Sequence, residues 1–289
     1  MSVVNVIILA IVQGLAELLP VSSSAHVVVA EKLLGLDPSS PPMTLLLVML
    51  HTGTMFAVIV YFWAQWRDTY FQSVPAFKNF AVLVVFATAL TAVIGEATIQ
   101  IIKSTVFGNA PHAEIEDLFD HLEFIAPALA AAGLLIVTAG VFERRHAAQR
   151  LAEAKDLNLQ QASLIGVIQG LCLPFRGFSR SGATISTAML LGVAKPRAEA
   201  FSFHLAVVLT PPVVARETMR LIKSAQIHGT ADLVAVALLS LLGAVVAFAS
   251  GLLALKWLSR WLEGGRWYLF GIYCLIAAVA VTILHRAGY

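Results

Sequence analysis

Residues 13–26 read QGLAELLPVSSSAH, and residues 168–184 read IQGLCLPFRGFSRSGAT. Each stretch sits midway along an apolar run and puts a proline, serines and a charged side chain where a spanning helix would need uninterrupted carbon. The surrounding chain says what such an interruption means. Of 289 residues, 59% are hydrophobic and only 12% are charged, and the mean hydropathy is +0.84. A soluble domain carries about 25% charged residues, so this chain cannot cover its surface with polar groups and reads as an integral membrane protein. A net charge of +2 gives no footprint for nucleic acid. Cys172 and Cys274 lie in apolar runs without metal or disulfide spacing and read as packed thiols. No Lys or Arg precedes Lys32, so no basic signal-peptide region is expected.

A spanning helix needs roughly 20 apolar residues. Six segments qualify, near 43–63, 80–102, 124–142, 198–216, 232–255 and 267–285. Residues 2–36 and 160–194 are instead each split into halves too short to cross, and read as re-entrant helix pairs. Irregular backbone at that depth survives only when buried in protein or lining a wet cavity.

The two split regions resemble each other. Gln13-Gly14-Leu15 matches Gln169-Gly170-Leu171, and after a one-residue slip Ser22 and Ser24 match Ser179 and Ser181. Both runs end in Leu-Leu-Gly, at 33–35 and 190–192; His51 and His204 are a weaker echo. The expected fold is therefore all-α: a single membrane domain over 1–289 built from two repeats, 1–142 and 160–289. Each half would hold one re-entrant helix pair plus three transmembrane helices. Three is odd, so the second copy is inverted, an architecture that puts the site at the midplane between the halves.

Charge bias orients the chain. With 64–79, 143–159, 195–197 and 256–266 inside, eleven of the nineteen Lys and Arg face the cytoplasm and six face out, leaving Arg176 and Arg180 within the second split region. Both termini are then outside. The acidic loop 103–123 suits that side, while the basic stretch RETMRLIK at 216–223 runs against it.

Ionisable groups at membrane depth are costly and are functional by default. Glu17 follows Gln13 by four residues and shares its helix face. Pro20 ends that helix. Ser22, Ser23, Ser24 and His26 follow at the start of the next, where backbone amides and hydroxyls make an anion site. The segment thus offers a carboxylate, a hydroxyl and an imidazole for nucleophilic or acid–base work. The second segment complements it. Arg180 lies between Ser179 and Ser181, with Gly177, Gly182 and Thr184 close by; a guanidinium among hydroxyls at a helix start matches phosphate. Facing repeats would bring Arg180 to Glu17, Ser23 and His26, and Glu17 could hold Mg²⁺ or Ca²⁺ through oxygen. Each feature also has a plainer reading: an ion pair for Glu17 and Arg180, helix caps for the serines, a packed ring for His26. For His51, His204 and Glu96 the plainer reading, packing or reach to the interface, is the better one.

At these two segments the sequence resembles the BacA/UppP family of undecaprenyl-diphosphate phosphatases, which also confer bacitracin resistance. The family pattern of Glu or Gln, three residues, Glu, then Pro-Val-Ser-Ser ending in His stands here as QGLAELLPVSSSAH. Its Pro-Gly-x-Ser-Arg-Ser-Gly-Ala-Thr stands as RGFSRSGAT. HTGTMFAV at 51–58 and FSFHLAV at 201–207 extend the likeness along the chain. The resemblance implies removal of one phosphate from undecaprenyl diphosphate in the bacterial plasma (inner) membrane. It further implies a divalent cation, a homodimer and a pocket open to the periplasmic side. On matching positions, Glu17 would be the metal-linked carboxylate, and Ser23 or His26 the nucleophile or acid–base group. Arg180 would bind the diphosphate, helped by Ser179, Ser181 and Thr184, with Gln13, Ser22 and Ser24 also in the substrate site. Arg176 replaces the motif proline, which alters the turn and adds a cation for phosphate; Ser24-Ala25 replaces Thr-Gly. A transporter of undecaprenyl phosphate is the competing function, since inverted repeats also serve transport. The Lys-x6-Arg-Pro motif of the other lipid phosphatase class is absent from the sequence.

Overall fold

The computed structural model describes residues 2–37, 40–106, 122–152, 157–228 and 233–287, and among these every regular element is an α-helix, ten in all. Two short helices, α1 (Val3–Leu18) and α2 (Ser23–Leu33), precede three long ones, α3 (Pro41–Tyr70), α4 (Val74–Val106) and α5 (Leu122–Ala152). The same order follows again: α6 (Leu159–Cys172), α7 (Arg180–Leu190), α8 (Lys195–His228), α9 (Leu233–Glu263) and α10 (Trp267–Arg286). The six long helices are long and apolar enough to cross a membrane, and each coincides with one of the segments chosen from hydropathy. The acidic loop 103–123 falls mostly outside the described residues.

Both interruptions are true breaks. Leu19 turns extended (φ −80°, ψ 149°) as the residue before Pro20 must, and α1 stops at Leu18. α1 has 16 residues and α2 has 11; at about 1.5 Å per residue neither crosses a hydrocarbon core of roughly 30 Å. α6 ends at Cys172, two residues before Pro174, and α7 begins at Arg180 once Ser179 Oγ has accepted the Gly182 N–H at 3.1 Å. Between them, Phe178 N–H closes a turn on the Phe175 carbonyl at 3.1 Å. Gly177 is its third residue at φ +99°, and a Cβ there would meet the Ile125 carbonyl oxygen at 2.5 Å. Arg176 holds the second position, where proline's fixed φ is favoured but not required. The turn therefore tolerates the departure from the family motif.

The first short helix of each set beds against a long helix of the other: α1 on α9, and α6 on α4. α5 lies along α10, and α3 packs on both α8 and α9. The α6 face that meets α4 carries Gly166 and Gly170, a small-xxx-small spacing that lets backbones approach. A Cβ on Gly166 would run into the Ala87 backbone, while its carbonyl accepts Thr91 Oγ1–H at 3.0 Å. A buried core of Phe62, Trp66, Phe201, Phe203 and Trp267 fills the region between the halves. Trp267 Nε1–H donates to Ser186 Oγ at 2.9 Å. Lys195 pairs with Glu143 at 2.8 Å and ties the start of α8 to α5.

Gly166→Val should separate α6 from α4 and cost at least the roughly 1–3 kcal/mol typical of overpacking. A thermal melt of the purified protein in detergent checks this, with Gly264→Ala, at an exposed turn where a Cβ would meet only ordinary van der Waals contacts, as the comparison that leaves the α6–α4 crossing intact.

Candidate active site

The site forms where the two breaks meet, and Glu17 is its hub. Gln13 Nε2–H donates to Glu17 Oε2 at 3.1 Å, as the four-residue spacing requires. Ser23 Oγ–H donates to the same oxygen at 2.5 Å. From the second half, Arg180 Nη2–H donates to Oε1 at 2.9 Å. The carboxylate is mostly covered, with 16% of the side chain exposed against 20% for Arg180. A guanidinium carries five N–H donors, so one bond to Glu17 leaves others available for an anion.

The backbone of the first break is strained in a useful direction. Ser22 sits at φ 68°, ψ 93°, the left-handed region that a non-glycine residue occupies at a cost. Ser22 therefore stands at the N-cap position of α2 without capping it; its hydroxyl pairs with Ser24 Oγ at 3.3 Å instead. The first amides of α2 lack a side-chain cap, whereas Ser179 does cap α7. Two bonds stitch the breaks together: Gly177 N–H to Ser24 Oγ and Ser181 Oγ–H to the Leu19 carbonyl, both 3.4 Å.

His26 has both ring nitrogens engaged. Nδ1–H donates to the Ser22 carbonyl at 2.7 Å, which fixes the tautomer because a carbonyl can only accept. Nε2 then accepts from the Tyr273 hydroxyl at 2.6 Å. The two rings stack with centroids 5.6 Å apart and planes 13° from parallel.

Most of the residues singled out in the sequence gather here: Gln13, Glu17, Ser22, Ser23, Ser24, His26, Arg180 and Ser181. Thr184 does not reach the carboxylate. It is fully buried behind Arg180, its hydroxyl bonded to the Arg180 carbonyl at 2.9 Å and to Ser202 at 2.6 Å. Ser179 is spent on its cap, and Arg176 is half-buried in the turn. His51, for which packing was the better expectation, lies at the hub: Nδ1–H donates to the Leu47 carbonyl at 2.8 Å and Nε2 stands 3.8 Å from Glu17 Oε2. Its echo His204 is a packed ring, 3.7 Å from Trp66 and 4.4 Å from Phe80 between centroids. Glu96 is exposed and accepts from Gln100 at 2.7 Å, away from the site. Tyr273 had no signal in the sequence, being one aromatic among many in a spanning helix.

Among the described residues, no group of three or more His, Cys, Asp or Glu side chains gathers as a metal cage. Glu17 is the carboxylate at the hub, and its oxygens already accept several donors. One carboxylate completed by phosphate oxygens and water is the usual arrangement for Mg²⁺, whereas Ca²⁺ takes six to eight oxygens. The donor set thus fits Mg²⁺ arriving with a phosphorylated ligand, not an ion caged by protein alone.

The sequence model of the family described as "Bacitracin resistance protein BacA" matches residues 6–280. The chain is 55% identical over 289 residues to undecaprenyl-diphosphatase 2 of Acinetobacter baylyi, covering 98% of each chain. It is 31% identical over 284 residues to an undecaprenyl-diphosphatase of Rhodopirellula baltica, again covering 98% of each. Against that of Fusobacterium nucleatum it is 30% identical over 282 residues, 96% of this chain and 99% of the relative. A match across nearly the whole chain, on a fold whose two breaks bring the shared motif residues together, makes this protein a member of the bacitracin resistance protein BacA family.

Proposed function

We propose that the protein is a membrane-embedded undecaprenyl-diphosphate phosphatase, which releases inorganic phosphate and returns the monophosphate carrier for cell-wall synthesis. The observation that carries this reading is the Ser23–Glu17–Arg180 chain, a hydroxyl, a base and a phosphate-binding cation within hydrogen-bond reach. The relatives named above are undecaprenyl-diphosphatases, which supports the substrate.

Ser23 is the nucleophile in this reading, because its proton already points at a carboxylate while both nitrogens of His26 are committed elsewhere. Glu17 takes the Ser23 proton as Oγ bonds to the terminal phosphorus. The phosphorus–bridging oxygen bond breaks and undecaprenyl phosphate leaves. Arg180, with the uncapped amides of α2, holds the phosphate oxygens where negative charge builds up. Water then cleaves the phosphoserine, and Glu17 returns the proton to Ser23 Oγ. Glu17 would also hold Mg²⁺ bound to the diphosphate, the ion supplying further neutralisation of phosphate charge. Ser22, Ser24 and Ser181 shape the pocket wall, Ser179 and Thr184 position Arg180, Gln13 orients Glu17, and Arg176 adds positive charge at the rim.

The same reading includes the inverted repeat, with α1–α5 and α6–α10 as its two copies and α1–α2 and α6–α7 as its re-entrant pairs. The repeated order of two short and three long helices supports it, as does the reciprocal bedding of α1 on α9 and α6 on α4. In this reading the positive-inside bias supports 64–79, 143–159, 195–197 and 256–266 as cytoplasmic, and the family resemblance supports a pocket open to the periplasmic side of the plasma membrane. The homodimer rests on the family resemblance alone. Hydrolysis uses the hydroxyl, the carboxylate and the guanidinium together, so no separate transport function is carried forward.

Purified protein in detergent should release phosphate from undecaprenyl diphosphate in the presence of Mg²⁺. Arg180→Ala should lower kcat/KM by about 10²- to 10³-fold, and Glu17→Gln by about 10²- to 10⁴-fold, with melting curves that still show a folded protein. Near-normal turnover by Arg180→Ala would remove the site assignment. For orientation, Ser73→Cys should react with a membrane-impermeant maleimide only after cells are permeabilised. Labelling of intact cells would turn the topology over.

A further inference from the structure

We propose that Tyr273 is a catalytic proton relay between His26 and the water that cleaves phospho-Ser23; this rests on the two-step reading above. His26 Nδ1 must carry its proton, because it faces the Ser22 carbonyl at 2.7 Å. In the neutral ring Nε2 is then the lone pair, and the contact of 2.6 Å is a Tyr273 O–H donated to it. The base of the site is thus covered by a hydroxyl, and it receives a proton through that hydroxyl.

The relay is placed to reach the reaction. His26 is three residues after Ser23 on α2, so both side chains rise from one helix face. Tyr273 comes from α10, the last helix of the other half, and is 46% exposed, so its oxygen keeps two lone pairs beyond the bond it donates. α10 is fixed at this point: the neighbouring Cys274 thiol reaches the Pro20 carbonyl at 3.5 Å, and Ala278 and Val281 pack with Ala25 and Val28 of α2. The hydroxyl is consequently held against the imidazole by backbone position as well as by its own bond. The two ring planes lie within 13° of parallel, with centroids 5.6 Å apart.

The step balances as follows. Water oxygen bonds to the phosphorus of phospho-Ser23 while one water proton passes to Tyr273 Oη. The Tyr273 proton passes to His26 Nε2. The Ser23 Oγ–phosphorus bond breaks, and Oγ takes the proton that Glu17 received in the first step. The imidazolium afterwards returns its extra proton through Tyr273 to the departing phosphate or to solvent, which restores the resting hydrogen bond.

The test uses Tyr273→Phe, which removes only the oxygen and keeps the ring stack, alongside His26→Gln and the double variant. With undecaprenyl diphosphate and Mg²⁺, Tyr273→Phe should lose about 10²-fold in kcat, with KM changed by no more than about twofold. The peptide bearing Ser23 should accumulate its phosphorylated form, seen by mass spectrometry of acid-quenched enzyme. The double variant should be no slower than His26→Gln alone, since both residues serve one transfer. Turnover within about twofold of the unsubstituted protein, a loss without phospho-Ser23, or additive losses in the double variant would each overturn the relay. Tyr268→Phe, which alters the ring beneath Arg144, should turn over normally. An unsubstituted protein that releases no phosphate would instead overturn the phosphatase reading itself.

Discussion

The ion pair between Glu17 and Arg180 is the contact on which the site depends. Either charge alone at membrane depth costs perhaps 2.5–3.5 kcal/mol on insertion scales, and stranding one partner of a covered pair costs more than the pair gains. The 2.9 Å bond joins residues 163 positions apart, one beside each break. The halves can meet face to face because each brings the charge the other lacks. The stitches around the pair, Gly177 to Ser24 and Ser181 to Leu19, are longer neutral bonds at 3.4 Å that satisfy backbone and hydroxyl groups freed by the breaks. Irregular backbone is admissible where protein covers it, as over Pro20, Val21 and Ser22 of the first break, all buried.

Under the proposed duplication, the two copies have divided one chemical task. Matching Ser22 to Ser179 and Ser24 to Ser181 sets Ser23 opposite Arg180, so the hydroxyl of one copy and the cation of the other descend from the same position. Gln13 matches Gln169, yet only the first bonds a carboxylate; Gln169 lies fully buried and donates to Thr91 Oγ1 at 3.2 Å, holding α6 to α4. His51 faces Glu17, while its echo His204 is locked among Trp66, Tyr70 and Phe80. One copy keeps chemistry where the other keeps packing. Under the proposed function, unlike sides would suit a substrate whose two phosphates need a nucleophile on one side and a cation on the other.

Much of this was legible in the chain because it is written at short range. Twenty-residue apolar runs, a proline three residues after a same-face Gln–Glu pair, and serines at a helix start are local patterns, and the six spans and both breaks obey them. The meeting of Glu17 with Arg180 was legible for a different reason, since isolated charges in an apolar setting must find each other. The partners of His26 were not legible. Tyr273 lies 247 residues away on a helix rich in apolar and aromatic side chains, and nothing in sequence separates the tyrosine that points at a histidine from one that points at lipid. His51 was undervalued because its neighbour on the same helix gives no hint of what faces it. Thr184 misled in the opposite sense: proximity in the motif suggested the pocket, but a hydroxyl four residues after Arg180 bonds back to that residue's carbonyl and turns inward.

Gln13 sets the charge balance of the hub. An amide donating to Glu17 leaves one carboxylate against one guanidinium, so the resting cluster is neutral without a metal. A second acid at position 13 would place like charges within a few ångströms, and one of them would have to take a proton or recruit a cation before the halves could close. With Gln13, closure needs neither. Under the proposed function the cost would move to substrate binding: a diphosphate brings in several negative charges that Arg180 alone cannot match, and a divalent cation, Mg²⁺ or Ca²⁺, would be the counterion that travels with them. In that reading the hub folds as a neutral pair and would take up metal only with the substrate.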